Sequence, residues 1–247
     1  LSAALPTGER IQVVLPPAAP DGGSISIRKQ VVSNFSLEEY RDSGSLDKVS
    51  VAVGGLSDID RLLIEHLKQN RIFDFINTAI TQRVSILISG GTSSGKTTFL
   101  NACLKSVHPK ERIITLEDTR ELLPPQENRV HLVASKGGQG TADVTIQHLL
   151  ESSLRMRPDR LFVGEIRGAE AFSFLRAINT GHPGSMSTVH ADTPQGAYEQ
   201  LAMMMQQAGL SGGYSKHDLM SYIRMVIPIV IQLRRDGGKR GVSEIFF

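Results

Sequence analysis

The stretch LISGGTSSGKTTFL, Leu87 to Leu100, decides how this chain is read. An apolar run stops at small residues, a lysine and two threonines follow, and an apolar pattern resumes. Gly90-x-x-x-x-Gly95-Lys96-Thr97 matches the phosphate-loop pattern at every specified position. Each residue type has a physical reason. Gly90, Gly91 and Gly95 let backbone amides approach phosphate oxygens with no Cβ in the way. The loop opens a helix, whose free amides and dipole attract anions. Lys96 brings a mobile positive charge to terminal phosphates, and Thr97 offers a hydroxyl to Mg²⁺. The expected nucleotide-binding set here is Gly90, Gly91, Thr92, Ser93, Ser94, Gly95, Lys96, Thr97 and Thr98.

Outward from the loop, strands and helices alternate. VSILIS precedes it and a helix over 96–106 follows. Then come strand RIITLED, a loop, helix DVTIQHLLESSLRM, strand RLFVGE and helix GAEAFSFLRAINT. Strand GSMSTVHA and helix PQGAYEQLAMMMQQAG follow, and the chain closes with MVIPIVIQL and GVSEIFF read as strands. Such alternation predicts an α/β fold with a mostly parallel sheet covered on both faces. In these sheets ligands bind at the carboxyl ends of the strands.

Upstream, Ser57 and Asp58 cap a helix whose Ile59, Leu62, Leu63 and Leu67 share a face. A second helix over 72–81 carries Phe73, Ile76 and Ile80. RIQVVLPP, the turn PDGG and SISIRKQ read as a β-hairpin too small to stand alone. We expect it to be the β-rich end of a smaller N-terminal α+β domain, a fold already under way at Leu1. The expected division is residues 1–32 for that domain and 33–56 for a linker with a short helix over 36–41. Residues 57–247 then form the nucleotide-binding domain.

Composition narrows the class. Lys plus Arg (27) nearly equals Asp plus Glu (25), so no strong basic excess argues for sequence-specific nucleic-acid binding. Cys103 is the one cysteine, which rules out an internal disulfide and fits a reducing compartment. The longest apolar run, Met225 to Leu233, is far short of the roughly 18–20 residues of a spanning helix, and no secretory signal is seen.

A held triphosphate is cleaved only if water and charge are managed beside it. RIITLED ends in Glu117 and Asp118, 21 and 22 residues after Lys96. If that strand neighbours the first, Glu117 faces the γ-phosphate and polarises the water, with Asp118 or Glu121 as helpers. RLFVGE ends in Glu165, with Gly164 where an aspartate is usual. Glu165 either reaches Mg²⁺ through a water or serves as the base. His190 ends the strand SMSTVH and should point at the same crevice to sense the γ-phosphate. His182, in the preceding turn, is expected to relay that change. The two histidines lack the companions of a metal site. Arginines crowd LRMRPDR, and Arg120 and Arg167 each follow an acid. At least one should act as a finger on transition-state charge.

GGTSSGKTT, TLEDTREL, LRMRPDRLFVGEIRGAEA and TGHPGSMSTVHA together resemble the four boxes of the type II/type IV secretion traffic ATPases. LRMRPDR and GHPGSMSTVHA resemble most the type IV branch, which serves conjugation and effector export. The resemblance is strong over residues 83–193 and looser over LPTGERIQVVLPP and SISIRKQ. It implies a RecA-like ATPase that uses ATP and Mg²⁺ and assembles as a homohexameric ring. It also implies that N-domain arginines, here Arg10 and Arg28, approach the phosphates. The ring would lie peripherally on the cytoplasmic face of the inner membrane, dock on secretion-system components there, and drive pilus assembly or substrate transfer. A RecA-like nucleic-acid motor and a type II secretion or pilus ATPase are the alternatives.

Overall fold

The computed structural model describes residues 1–29, 36–45, 47, 55–135, 143–209 and 213–247. Residues 33–35, 46 and 48–54 of the expected linker lie outside the described residues. Three short strands open the chain: β1 (Ser2–Ala4), β2 (Arg10–Val14) and β3 (Ser24–Arg28). They form one antiparallel sheet, so the expected hairpin gains a third strand. Helix α1 (Leu37–Asp42) is the expected short helix, held by a capping box between Ser36 and Glu39.

Helices α2 (Asp58–Lys68) and α3 (Ile72–Thr81) precede β4 (Ile86–Gly90), which runs into the phosphate loop and α4 (Lys96–Lys105). The Ser57 hydroxyl accepts from the Asp60 amide, and the Asp60 carboxylate accepts from the Ser57 amide, which fixes the start of α2. Two expected core positions face solvent instead. Leu62 and Phe73 are exposed, while Leu63, Phe75, Ala79 and Ile80 are buried. Phe73 lies two residues, about 200° of helix, from Phe75, so both cannot face the sheet.

The remaining elements are β5 (Ile113–Glu117), β6 (Arg129–Val133), α5 (Ile146–Ser153), β7 (Arg160–Val163) and α6 (Glu170–Asn179). After them come β8 (Met186–Val189), α7 (Pro194–Gln207), α8 (Lys216–Val226), β9 (Ile229–Asp236) and β10 (Lys239–Phe246). The sheet order is β10-β9-β4-β8-β7-β5-β6, parallel except for β10. This corrects one premise: β4 pairs with β8 and β9, and β5 is two strands further away. It also corrects the last strand. Met225 and Val226 belong to α8, where Leu219, Ile223 and Val226 bury one helical face, and β9 starts only after Pro228.

Alternate residues of the central strands enter two cores, as a sheet covered on both faces requires. Leu87, Ile114, Leu161 and Val163 pack with α5 to α8. Ile86, Ile88, Ile113 and Phe162 pack with α2, α3 and α4. Val14, Ala18 and Ala19, from the small sheet and its turn, are buried in the first of these cores with Leu132 and Leu149. The Val133 amide donates to the Ala18 carbonyl at 2.8 Å, so the turn straps the β6 edge. No helix among the described residues is long and apolar enough to cross a membrane.

Candidate active site

The phosphate loop leaves the carboxyl end of β4 with little freedom. A Cβ on Gly90 would lie 2.5 Å from Ser94 Oγ and 2.8 Å from the Leu233 carbonyl oxygen. Gly90 is therefore required by packing beneath the loop, whereas a Cβ on Gly91 would meet only Asp192 Oδ1, at an ordinary 4.0 Å. Gly95 has φ +96 and is the N-cap of α4. No side chain caps this helix, nor α3 and α6, whereas Ser or Thr caps α1, α2, α5, α7 and α8. Its first amides are left for an anion.

Lys96 is nearly buried and folds back on the loop. Its ammonium donates to the Gly90 carbonyl at 2.8 Å and to the Gly91 carbonyl at 3.1 Å. It also lies 3.2 Å from His190 Nδ1. Burial holds the Lys96 ammonium below the usual lysine value; Glu165 offsets part of this and Arg167 adds to it. An ammonium has no lone pair, so His190 Nδ1 is the acceptor and its proton sits on Nε2. That nitrogen is 2.8 Å from Glu165 Oε1, within ion-pair distance but outside hydrogen-bond geometry. Glu165 Oε2 accepts from Arg167 Nη2 at 2.5 Å, and Arg167 Nη1 donates to Asp118 Oδ2 at 2.8 Å. The hydrogen bond to Glu165, with the charges of Glu165, Asp118 and Glu170, holds the guanidinium above its usual value. Five side chains from the ends of four elements thus form one line: Lys96, His190, Glu165, Arg167, Asp118.

Other expected site residues are placed differently. Glu117 is buried, and its Oε1 accepts from the amides of Glu121 and Leu122, both at 2.9 Å. The carboxylate ties down the loop after β5, and its Oε2 has no partner. Burial pushes its pKa up, against the pull of those amides. With β8 and β7 lying between β5 and β4, Glu117 does not face the phosphate loop as an adjacent strand end. His182 and His190 stand at opposite ends of β8. His182 Nδ1 donates to the Pro158 carbonyl at 3.0 Å, and burial lowers its pKa. The structure therefore does not bring His182 to the loop. Arg10 and Arg28 face each other across the β2–β3 ladder, both exposed. Of the arginines in LRMRPDR, Arg160 is buried in a forked pair with Glu111, and Arg155 donates to Ser2 Oγ.

Three arginines close to the loop escaped the motif search. Arg234, Arg235 and Arg240 sit on the β9–β10 hairpin, and the run RRDGGKR after an apolar strand is the signal that marks them. As for Mg²⁺, no cluster of three metal-ligating side chains exists among the described residues.

An uncapped helix end behind a buried lysine, with an acid–histidine pair across from it, is the layout of a P-loop nucleoside triphosphatase. The family model described as "Type II/IV secretion system protein" matches residues 3–236, and the chain belongs to that family. It is 41% identical over 259 residues to the type IV secretion system protein VirB11 of Bartonella quintana, covering 100% of this chain and 73% of the relative. It is 38% identical over 254 residues to the type IV secretion system protein PtlH of Bordetella pertussis, covering 100% of this chain and 74% of that one. The crystal structure of the VirB11 ATPase from the Brucella suis type IV secretion system, in complex with sulphate, superposes with a TM-score of 0.91. That protein is 32% identical, and the match covers 100% of this chain and 75% of the solved one.

Proposed function

We propose that this chain is the ATP-hydrolysing motor of a bacterial type IV secretion system, driving pilus assembly or the transfer of protein or protein–DNA substrates. The observation that carries the reading is the unbroken contact line from the loop lysine to Asp118. A bound phosphate displaces Lys96 from the Gly90 and Gly91 carbonyls and from His190. His190 then loses its cationic neighbour and is free to donate toward phosphate or toward Glu165. Glu165, bonded to Arg167, takes a proton from the attacking water. Thr97 Oγ1 and, through a water, Glu165 would hold Mg²⁺, which would supply charge neutralisation at the phosphates. Loss of the γ-phosphate returns Lys96 to His190, and the line resets. In this way cleavage is read out at the ends of β5, β7 and β8.

On this reading residues 57–247 are the motor domain and residues 1–32 the end of the domain before it. The motor is a homohexameric ring on the cytoplasmic face of the inner membrane, bound to secretion-system components and without sequence-specific contacts to nucleic acid. Arg10 and Arg28, paired on the small sheet, are the N-domain arginines that approach the phosphates. Mass photometry with and without ATP should show a ring; a monomer under both conditions sinks the assembly. Lys96→Ala should abolish ATP turnover and nucleotide binding while circular dichroism stays that of the parent. Near-parental turnover in that variant refutes the site.

A further inference from the structure

The connection from β5 to β6 is laid along α4. Leu122, Pro124 and Gln126 are buried and the residues between them are exposed, the period-two pattern of an extended chain lying on a surface. Leu122 packs in the same core as Leu100 and Leu104 of α4. Gln126 Nε2 donates to the Leu104 carbonyl at 3.1 Å and to the Val107 carbonyl at 3.0 Å, at and just beyond the end of that helix. Nearer the site, Asn101 of α4 makes the matching attachment. Its Nδ2 donates to the Glu121 carbonyl at 3.0 Å, and its Oδ1 accepts from the Leu123 amide at 2.7 Å. Both ends of one side-chain amide are thus spent on one short run of backbone. Asn101 follows Thr97 by four residues, so the two share a face of α4.

The same run is held from the other side. Glu117 Oε1 accepts from the amides of Glu121 and Leu122, so α4 and β5 grip one stretch of backbone between them. Asp118 sits in the short turn that these bonds close. Its carboxylate accepts from Arg167 Nη1, while Nη2 of the same guanidinium donates to Glu165 Oε2. The Arg167 side chain is 63% exposed. Holding an exposed arginine costs rotamer freedom, which the second bond, to Asp118, offsets while fixing the plane of the guanidinium. Glu165 Oε2 is then occupied. Its Oε1, buried and without a hydrogen-bond partner, is the oxygen left to take a proton.

We infer that Asn101 is a positioning residue for the hydrolysis step. It fastens the helix that begins at the phosphate loop to the turn that carries Asp118. Through Asp118 and Arg167 it sets the orientation of Glu165. Phosphate held at the start of α4 and the base at the end of β7 are thereby kept in one frame. The inference rests on the ATPase reading and extends it to a side chain outside the contact line.

Steady-state ATP turnover of the full chain tests it. Asn101→Ala should lower kcat about tenfold, the worth of one charge-assisted hydrogen bond no longer held in place. KM for ATP and the affinity for ADP should stay those of the parent. Asp118→Asn should show the same split. The double variant should fall no further than Asp118→Asn alone, because Asn101 acts through that carboxylate. Asn101 and Asp118 are both partly exposed, so these variants keep the fold. Gln126→Ala, at the far end of the strap, should lower the melting point and leave kcat at the parental value, which separates positioning from stability. Parental kcat in Asn101→Ala, losses that multiply in the double variant, or an equal kcat loss in Gln126→Ala overturns the inference and leaves the ATPase reading standing. A parent chain without ATP turnover overturns that reading as well.

Discussion

Glu117 shows how one strand-end carboxylate is tied into the architecture. Its position at a strand end, followed by Asp118, marks it as a site acid in the sequence. Where its oxygens go depends on contacts with residues four and five positions on, and on β7 packing beside it through Gly164. Burial raises its pKa, so its charged form is the costly one in the folded state. Its contribution to stability is therefore fully present below the ordinary carboxylate value of 4.5 and is lost as pH rises through the raised folded value. Glu117→Gln keeps an oxygen for the two amides and removes that cost. Urea midpoints should favour the variant increasingly as pH climbs above about 4.5. A parent that gains stability over the variant with rising pH contradicts this account. Lys96 is the opposite case. Its role is legible from eight consecutive residues, because a phosphate loop is local. The Arg167–Asp118 pair is not, because it exists only through β5 and β7 being neighbours.

At the level of elements, the parallel strands and their helices follow from apolar runs and caps. Strand β6 escapes that pattern because RVHLV sits at an edge, with Arg129 exposed and His131 bonded to Thr115. Helix α8 escapes it because its buried Ile223 and Val226 merge with the apolar run that β9 continues. Pairing order is non-local and was the costliest gap, since it moved β5 away from β4. Arg160 is what joins several of these elements at their far ends. It is fully buried, forks onto Glu111 at 2.7 and 2.8 Å, and donates to the Ile80 carbonyl at the end of α3 at 2.8 Å. Arg160→Ala leaves Glu111 with only Arg83, 3.3 Å away and partly exposed. The expected loss is about 3 kcal/mol, read by chemical denaturation. Pairing Arg160→Met with Glu111→Leu should recover much of it. Equal losses in the single and double variants would show that the ion pair is not the cause.

For the whole molecule, the small N-terminal sheet is fastened by burial more than by charge. Arg120 and Asp21 are 2.7 Å apart, but at 38% and 59% exposure such a pair contributes about 0–1 kcal/mol. Val14, Ala18 and Ala19 carry the attachment from within the main core. The Ala18–Val133 hydrogen bond has a consequence for handling the protein. A seven-stranded sheet has two rims. The β10 rim carries Lys239, Arg240 and Glu244, charges that discourage another chain from adding to it. The β6 rim relies on the strap instead. A fragment cut to residues 57–247 would bare the Val133 amide together with Leu132 and Leu149, an open template for strand addition. Light scattering should show that fragment self-associating with time while the full chain stays clear, and a fragment that remains dispersed would show the strap to be dispensable. Self-association of the fragment would make the N-terminal segment a solubility device for the rest of the chain.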